Sequence, residues 1–459
     1  MRFPAYPKYR DSGVQWLGRV PGHWEVKRLK FSATINDDAL PETTDPDFEF
    51  SYVDIGSVSP GEGITSTEPM IFENAPSRAR RKVAPGDSIV STVRTYLRAI
   101  APIPEIFDPL VVSTGFAVIR PRKVSSAFLA YALRESYFVE SIVARSTGVS
   151  YPAVNASEIG DIAIPLPSED EQTTIADFLD RETGRIDTLV AKKRRLIALL
   201  KEKRTALISR TVTRGLPDAA AREFGLQPHT RFKSSGIEWL DEVPAAWEAR
   251  KVWIERVSRN IELQDGNHGE LHPKAEDYVS EGIPFVMANH IVDGKVDFDR
   301  CNYIDKQQAD SLRIGFSLRG DVLLTHKGTI GRVGLVQESD FPYVMLTPQV
   351  TYYRCLREIQ NVFLFWFMQS DFWQDQLRLL AGLGSTRAYI GLLDQKKLSF
   401  LIPNELEQSA IVTYLDRETA KIDRLVKKVE AAIARLQEYR TALITAAVSG
   451  KIDVREAVV

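Results

Sequence analysis

Two blocks of this sequence occur twice, and the text between them does not. Gly13, Trp16, Leu17, Val20, Pro21, Trp24 and Glu25 return, 223 residues later, as Gly236, Trp239, Leu240, Val243, Pro244, Trp247 and Glu248. Pro167, Glu171, Gln172, Ile175, Leu179, Asp180, Arg181, Glu182, Thr183, Ile186 and Asp187 return, 236 residues later, as Pro403, Glu407, Gln408, Ile411, Leu415, Asp416, Arg417, Glu418, Thr419, Ile422 and Asp423. A duplicated frame around two dissimilar inserts restricts the fold to two similar domains. It fits one kind of recognition applied to two targets better than a single catalytic centre.

The second block opens a helix in each copy. Pro167-Ser168-x-x-Glu171 reads as a capping box, in which Ser168 accepts from the Glu171 amide and Glu171 reaches back to the Ser168 amide; Asn404 takes the cap position in the other copy. No proline follows for roughly 45 residues in either, which is about 65 Å of helix at ~1.5 Å rise. Apolar residues then recur every seven. The series are Leu179, Ile186, Leu200 and Leu207, broken at Lys193, and Leu415, Ile422, Val429, Leu436 and Leu443, with a second row of Leu425, Ala432, Tyr439 and Ala446. Such seams need a partner helix, and the nearest is the other copy, so an antiparallel pair is expected. Gly215 and Gly450 close the two helices.

The expected organisation is therefore a first globule with its anchoring segment (1–160), a first long helix (161–214), a linker (215–230), a second globule (231–398), a second long helix (399–450) and a tail (451–459). In the first insert, strand-like alternation at Phe50–Val58, Ser88–Val93 and Val111–Ile119, followed by a helical stretch Ala127–Ala144, predicts a mixed α/β domain. Gly320-Asp321 before an apolar run repeats Gly86-Asp87, so the second insert shares that fold. The paired tryptophans of the frame are expected to be packing anchors. Two isolated cysteines, Cys301 and Cys355, suggest a reducing compartment without a disulfide framework. The start MRFPAYPKYR has no apolar signal region, and the densest apolar run, Phe363 to Met368, is too short to span a bilayer, so a cytoplasmic location without membrane contact is expected.

Catalytic signatures are not found. There is no phosphate-binding Gly-x-x-x-x-Gly-Lys-Ser/Thr loop, Gly328–Gly334 lacks dinucleotide spacing, no Asp-Pro-Pro-Tyr-like methyltransferase tetrapeptide occurs, and Pro46-Asp47 lacks the Glu-x-Lys of a nuclease. His268 and His272 flank a turn rather than sharing a helix face, so they read as a surface loop, and no metal site is expected. With a net charge of −2, generic polyanion binding is not expected.

Local basic patches exist at Arg78, Arg80, Arg81 and Lys82, and at Arg120, Arg122 and Lys123, yet neither insert is net basic overall, which suggests help from partner proteins. The candidate DNA-contacting loops are polar and basic. In the first insert they hold Arg94, Thr95, Tyr96, Arg98, Ser146, Thr147 and Tyr151; in the second, Lys327, Thr329, Arg332, Ser385, Thr386, Arg387 and Tyr389. Arg and Lys suit guanine edges or phosphates, and Ser, Thr and Tyr suit either. The helical run Lys192, Lys193, Arg194, Arg195, Lys201, Lys203 and Arg204 is either a solvated face or a surface for phosphate or a partner subunit.

Gly13–Glu25, Glu171-Gln-x-x-Ile175, Phe178–Thr183, Ile186-Asp187 and Arg204–Ile208, with their second copies, resemble the specificity subunit of Type I restriction-modification enzymes. The resemblance covers the whole layout, while the inserts match in position only. It implies an α/β (α+β) chain with a pseudo-twofold internal repeat: two target recognition domains separated by a pair of long antiparallel coiled-coil helices. It further implies that each domain reads half of a split site in double-stranded DNA, that the helices set the gap and dock two methyltransferase subunits, and that two restriction subunits complete the complex. S-adenosylmethionine, ATP and magnesium would belong to those partners, leaving this chain non-catalytic and without a cofactor. A stand-alone enzyme and a DNA-free coiled-coil scaffold are the rival expectations.

Overall fold

A computed structural model describes residues 3–105, 109–237, 240–269, 271–382 and 389–456. The chain divides into two compact units, Met1–Arg194 with Glu430–Val459, and Arg195–Val429. Both long helices run through both units: Glu169–Arg214 and Glu405–Val448. Among the described residues no helix is long and apolar enough to cross a membrane, and both cysteines are free.

In the first unit, Ile100–Pro102, Ser88–Ser91, Phe116–Pro121 and Ala33–Ile35 form one antiparallel sheet in that order. A second sheet orders Glu68–Ile71, Glu49–Val53, Leu110–Ser113 and Ala79–Lys82, with its middle pair parallel. The expected strand Val111–Ile119 is thus two strands belonging to different sheets. The chain turns at Thr114-Gly115, where a Cβ on Gly115 would sit 2.8 Å from Ile55 Cδ1, so that a side chain there would force Ile55 to shift. The expected helix Ala127–Ala144 is likewise two, Ser126–Ala132 and Ser136–Arg145. Glu135 restarts it by accepting from the Tyr137 amide at 2.7 Å.

The second unit repeats this plan. Ile283–Val286 lies parallel to Val344–Leu346 as Glu49–Val53 does to Leu110–Ser113, and Asn361–Met368 and Asp371–Ala381 replace the helix pair, restarted by Ser370. In each unit a two-stranded ribbon ties the anchoring segment to the strand before the long helix: Glu25–Arg28 with Ala163–Leu166, and Glu248–Lys251 with Ser399–Ile402.

Helix pairing is visible inside each unit. In the first, Leu179, Ile186 and Val190 share a buried cluster with Leu443, Ile444 and Ala447, and Arg440 Nε donates to Asp187 at 3.0 Å. In the second, Ile208 and Val212 share one with Ile411 and Leu415, and Arg204 Nε donates to Asp423 at 3.0 Å. These are the same two positions of the repeat with roles exchanged, the mark of an isologous, antiparallel contact. The seam is narrower than the heptads suggest. Leu179, Ile186, Leu415, Ile422 and Leu443 are buried, whereas Leu200, Leu207, Val429 and Leu436 are half-buried and Leu425 and Tyr439 of the second row are exposed. A two-helix contact covers only one narrow stripe, so residues flanking it stay open.

The anchoring segments explain why Glu171 and Glu407 recur. Ser168 Oγ accepts from the Glu171 amide at 3.4 Å as expected. The Glu171 carboxylate, however, is occupied by the Trp24 indole (3.0 Å), the Tyr6 hydroxyl (2.7 Å) and His23 (3.0 Å) rather than by the Ser168 amide. Glu407 likewise takes the Trp247 indole at 2.8 Å and His229 at 2.5 Å. Trp24 and Trp247 are the buried anchors; Trp16 is exposed, and Trp239 lies outside the described residues. Neither flanking segment is passive. Residues Asp218–Glu223 of the expected linker form a helix with Ala220 and Ala221 buried. In the expected tail, Val454 is buried with Tyr6 and Trp24, and the Asp453 amide donates to Pro4 O at 2.8 Å.

Candidate nucleic-acid interface

The chain leaves the buried strand Ser88–Ser91 as the loop that carries Arg94, Thr95, Tyr96 and Arg98. A second loop, around Ser146–Tyr151, is brought beside it. Ala153 bridges both Val93 and Thr147, and the Val154 amide donates to Thr92 O at 2.9 Å. Arg94 places its guanidinium 5.1 Å from the Tyr151 ring centroid. Tyr96, Thr147 and Tyr151 are exposed, as are Arg94 and Arg98. Thr95 departs from expectation: it is buried, with Oγ1 2.7 Å from Ser146 Oγ, so this pair ties the loops together instead of facing a ligand. Arg94 and Arg98 both adopt left-handed backbone, φ 50° and 51°. Non-glycine residues rarely do so, and such strain gathers at functional sites.

The second unit builds the equivalent loop from glycine. Gly328 and Gly331 carry the positive φ values, 75° and 89°. Lys327, Thr329 and Arg332 are exposed along it, and Lys327 bridges to Tyr389. Ser385, Thr386 and Arg387 lie outside the described residues. Asp265, His268, Lys327, Pro348 and Tyr389 line a cavity of about 400 Å³ beside this loop. Asp265 gave no sequence signal, because a lone carboxylate before a glycine looks like any turn. His268 and His272 keep to their own loop, their Nδ1 atoms donating to Gly266 O at 3.1 Å and to Asn267 O at 3.0 Å, and no metal-holding cluster exists among the described residues.

The two basic patches resolve differently. Arg78 donates to Tyr52 and Asp54, Lys82 pairs with Asp38, Arg80 lies over Phe72 and Arg81 is half-buried. Arg78 nevertheless neighbours the Arg94 loop, since its carbonyl accepts from Thr114 and the adjacent Gly115 carbonyl accepts from Thr92. Arg120 is no surface patch. It forms a two-toothed pair with Asp87, which is 2% exposed, through bonds of 3.0 and 2.8 Å. Arg354 and Asp321 repeat it at 2.9 and 2.7 Å. Arg122 pairs with Asp37, whose carboxyl is held below the usual carboxylate range by Thr34 and then by Arg122 and Arg120. Of the helical basic run, Arg204 is tied to Asp423 and lies over Trp366, and Arg194 reaches Glu62 at 3.5 Å.

His326, beside the second loop, is 1% exposed; Nε2 is 3.4 Å from Asp265 Oδ1, a long contact, and neither ring nitrogen has a hydrogen-bond partner among the described residues. Burial pushes its pKa down, with Asp265 opposing in part. A histidine whose folded value lies below its unfolded one contributes stability above about pH 6.5 that is lost as pH falls. The second unit's urea midpoint is expected to drop between about pH 7.5 and about pH 5.5, and His326→Gln to shrink that drop. An identical pH slope in the variant, read by fluorescence, would refute this.

Residues 21–197 match the family model described as Type I restriction modification DNA specificity domain. The chain is 24% identical over 336 residues (73% of this chain, 67% of that protein) to the Type I restriction enzyme EcoBI specificity subunit of Escherichia coli. It is 20% identical over 332 residues (72% and 70%) to the MjaVIII specificity subunit of Methanocaldococcus jannaschii. A solved chain from work on complex assembly of the type I R-M system shares the fold, with a TM-score of 0.65 at 22% identity over 94% of this chain and 98% of that one. Residues 21–197 thus carry the match to the Type I restriction modification DNA specificity domain, and most of the chain is similar in sequence and fold to Type I restriction-modification specificity subunits.

Proposed function

We propose that each unit reads one half of a split site in double-stranded DNA, and that the helix pair fixes the gap between the halves. The observation that carries this is the contrast between frame and loop. The Trp–Glu anchors, the Asp–Arg pairs and the interhelical Arg–Asp bonds repeat residue for residue. The exposed loops on them do not: Arg94-Thr95-Tyr96 in one unit corresponds to Gly328-Thr329-Ile330 in the other. Identical scaffolds carrying different donors and acceptors suit two different base sequences.

A specificity subunit is the non-catalytic member of its complex, supplying the address to other subunits. Two methyltransferase and two restriction subunits are the partners proposed here, with S-adenosylmethionine, ATP and magnesium on them. Leu196, Leu199 and Leu425, exposed on the helices of the second unit, offer apolar surface for such docking. The basic run on the first helix then serves phosphate or partner contact.

A stiff spacer selects both distance and rotational phase along a duplex that repeats about every 34 Å. Inserting four residues near Leu196, matched in the opposing helix, is expected to change the accepted gap while both half-sites keep their bases. Methylation mapping of the assembled complex reads this directly; altered half-site bases with an unchanged gap would overturn the assignment.

A further inference from the structure

The first unit contains a cavity of about 610 Å³ whose lining residues include Val139, Val190 and Ile444 together with Arg98, Arg134, Arg194 and Arg440. Three of these arginines have carboxylate partners. Arg98 donates to Glu140 at 2.6 Å, Arg194 reaches Glu62 at 3.5 Å, and Arg440 is held by Asp187 at 3.0 and 3.2 Å. Arg134 has none among the described residues. Its Nε donates to Ala130 O at 2.8 Å and its guanidinium lies 4.9 Å from the Tyr131 ring centroid. Burial holds its pKa below the ordinary arginine value; Arg440 repels it further, while Tyr131, Asp180 and Asp187 oppose the shift in part. A cation withdrawn from water with no carboxylate in direct contact is unfavourable, and the free end of a guanidinium fork matches the oxygens of a phosphate.

The other copy of the repeat is an internal control. There Gln369 occupies the position of Arg134 and donates to the equivalent carbonyl, Phe365 O, at 3.3 Å. Asp371 stands where the first unit has Ser136, and accepts from Ser209 at 3.1 Å. The frame is therefore satisfied by a neutral amide, and the charge of Arg134 is additional to what the fold requires.

We propose that this cavity is a phosphate-binding site particular to the first unit, with Arg134 as its seat and the more exposed Arg98 and Arg194 completing it. The phosphate has two available sources. One is the DNA backbone beside the first half-site, since Arg98 belongs both to the cavity and to the recognition loop; this source rests on the function proposed above. The other is a free nucleotide, for which the apolar walls and the volume are suited.

Arg134→Gln installs the residue of the second copy and so preserves the local hydrogen bond; Arg194→Gln, at an exposed position, serves if that variant fails to fold. With the chain assembled with its methyltransferase subunits, binding to specific and scrambled duplexes is measured across a salt series. If the source is DNA, affinity falls by a similar factor on both duplexes, the slope of log K against log salt loses about 0.9, and the methylated sequence is unchanged. If the source is a free ligand, inorganic phosphate or AMP raises the melting temperature of the DNA-free protein and the variant abolishes the shift. Unchanged slopes together with no response to phosphate or AMP overturn the site. A wild-type complex that prefers no duplex would instead remove the recognition reading and leave the phosphate and AMP arm to decide.

Discussion

Replacing Trp247 with alanine is expected to melt the second unit well before the first. The indole is fully buried among Val212, Ile411 and Leu415, and its N–H donates to Glu407 at 2.8 Å. Losing a buried tryptophan costs about 3–5 kcal/mol through lost burial and the cavity left behind. Glu407, itself buried, loses a donor at the same time, which adds about 1–3 kcal/mol. Against a domain stability of about 5–15 kcal/mol this is a large fraction. Trp247→Phe keeps most of the volume and isolates the hydrogen-bond contribution. Hydrogen exchange by mass spectrometry locates the effect: protection should fall across the 205–215 and 405–415 helix segments while the Trp24 neighbourhood keeps its own. Loss of less than about 1 kcal/mol would mean that the indole is not the anchor described here.

Arg354→Met is expected to cost about 3–5 kcal/mol, because it strands Asp321, 1% exposed, without its guanidinium. Ser317 Oγ at 3.0 Å and the Leu318 amide at 2.7 Å remain as donors but carry no charge. The double variant Arg354→Met with Asp321→Asn should be markedly less damaged than the single one, since the buried charge is gone. Additive losses in chemical denaturation would show that the two residues act independently. Arg120→Met should behave alike in the first unit, where, among the described residues, the Ala84 amide at 2.8 Å remains as the uncharged donor to Asp87.

That pair also marks where sequence reading stops. The capped starts, the glycine stops and the uninterrupted helices were legible because each signal spans only a few residues. Arg120 was grouped with Arg122 and Lys123 because adjacency in sequence is visible, while its true partner lies 33 residues back. Val111–Ile119 reads as one strand because alternation continues through Gly115, whereas its two halves pair with strands of different sheets, which are distant in sequence. Leu425 and Tyr439 kept the heptad rhythm yet face outward, since period alone does not say how wide a stripe the partner helix covers. Composition picks out the candidate loops, but Thr95 and Ser146 bond each other, and the cavity around Arg134 draws its members from loop, helix turn and both long helices. Nothing local announces such a meeting.

The contacts of Pro4 with Asp453 and of Tyr9 with Gly450, whose Tyr9 hydroxyl lies 3.0 Å from the Gly450 carbonyl, have a topological consequence. Where the first unit holds these segments together by hydrogen bonds, the second joins its counterparts, residues 216–229, by an unbroken backbone. Joining residue 456 to residue 3 and opening the chain near 224–228 would exchange those two arrangements and leave each buried anchor with its own neighbours. The order in which this polypeptide is threaded is thus one of two equivalent ways to write the same folded object.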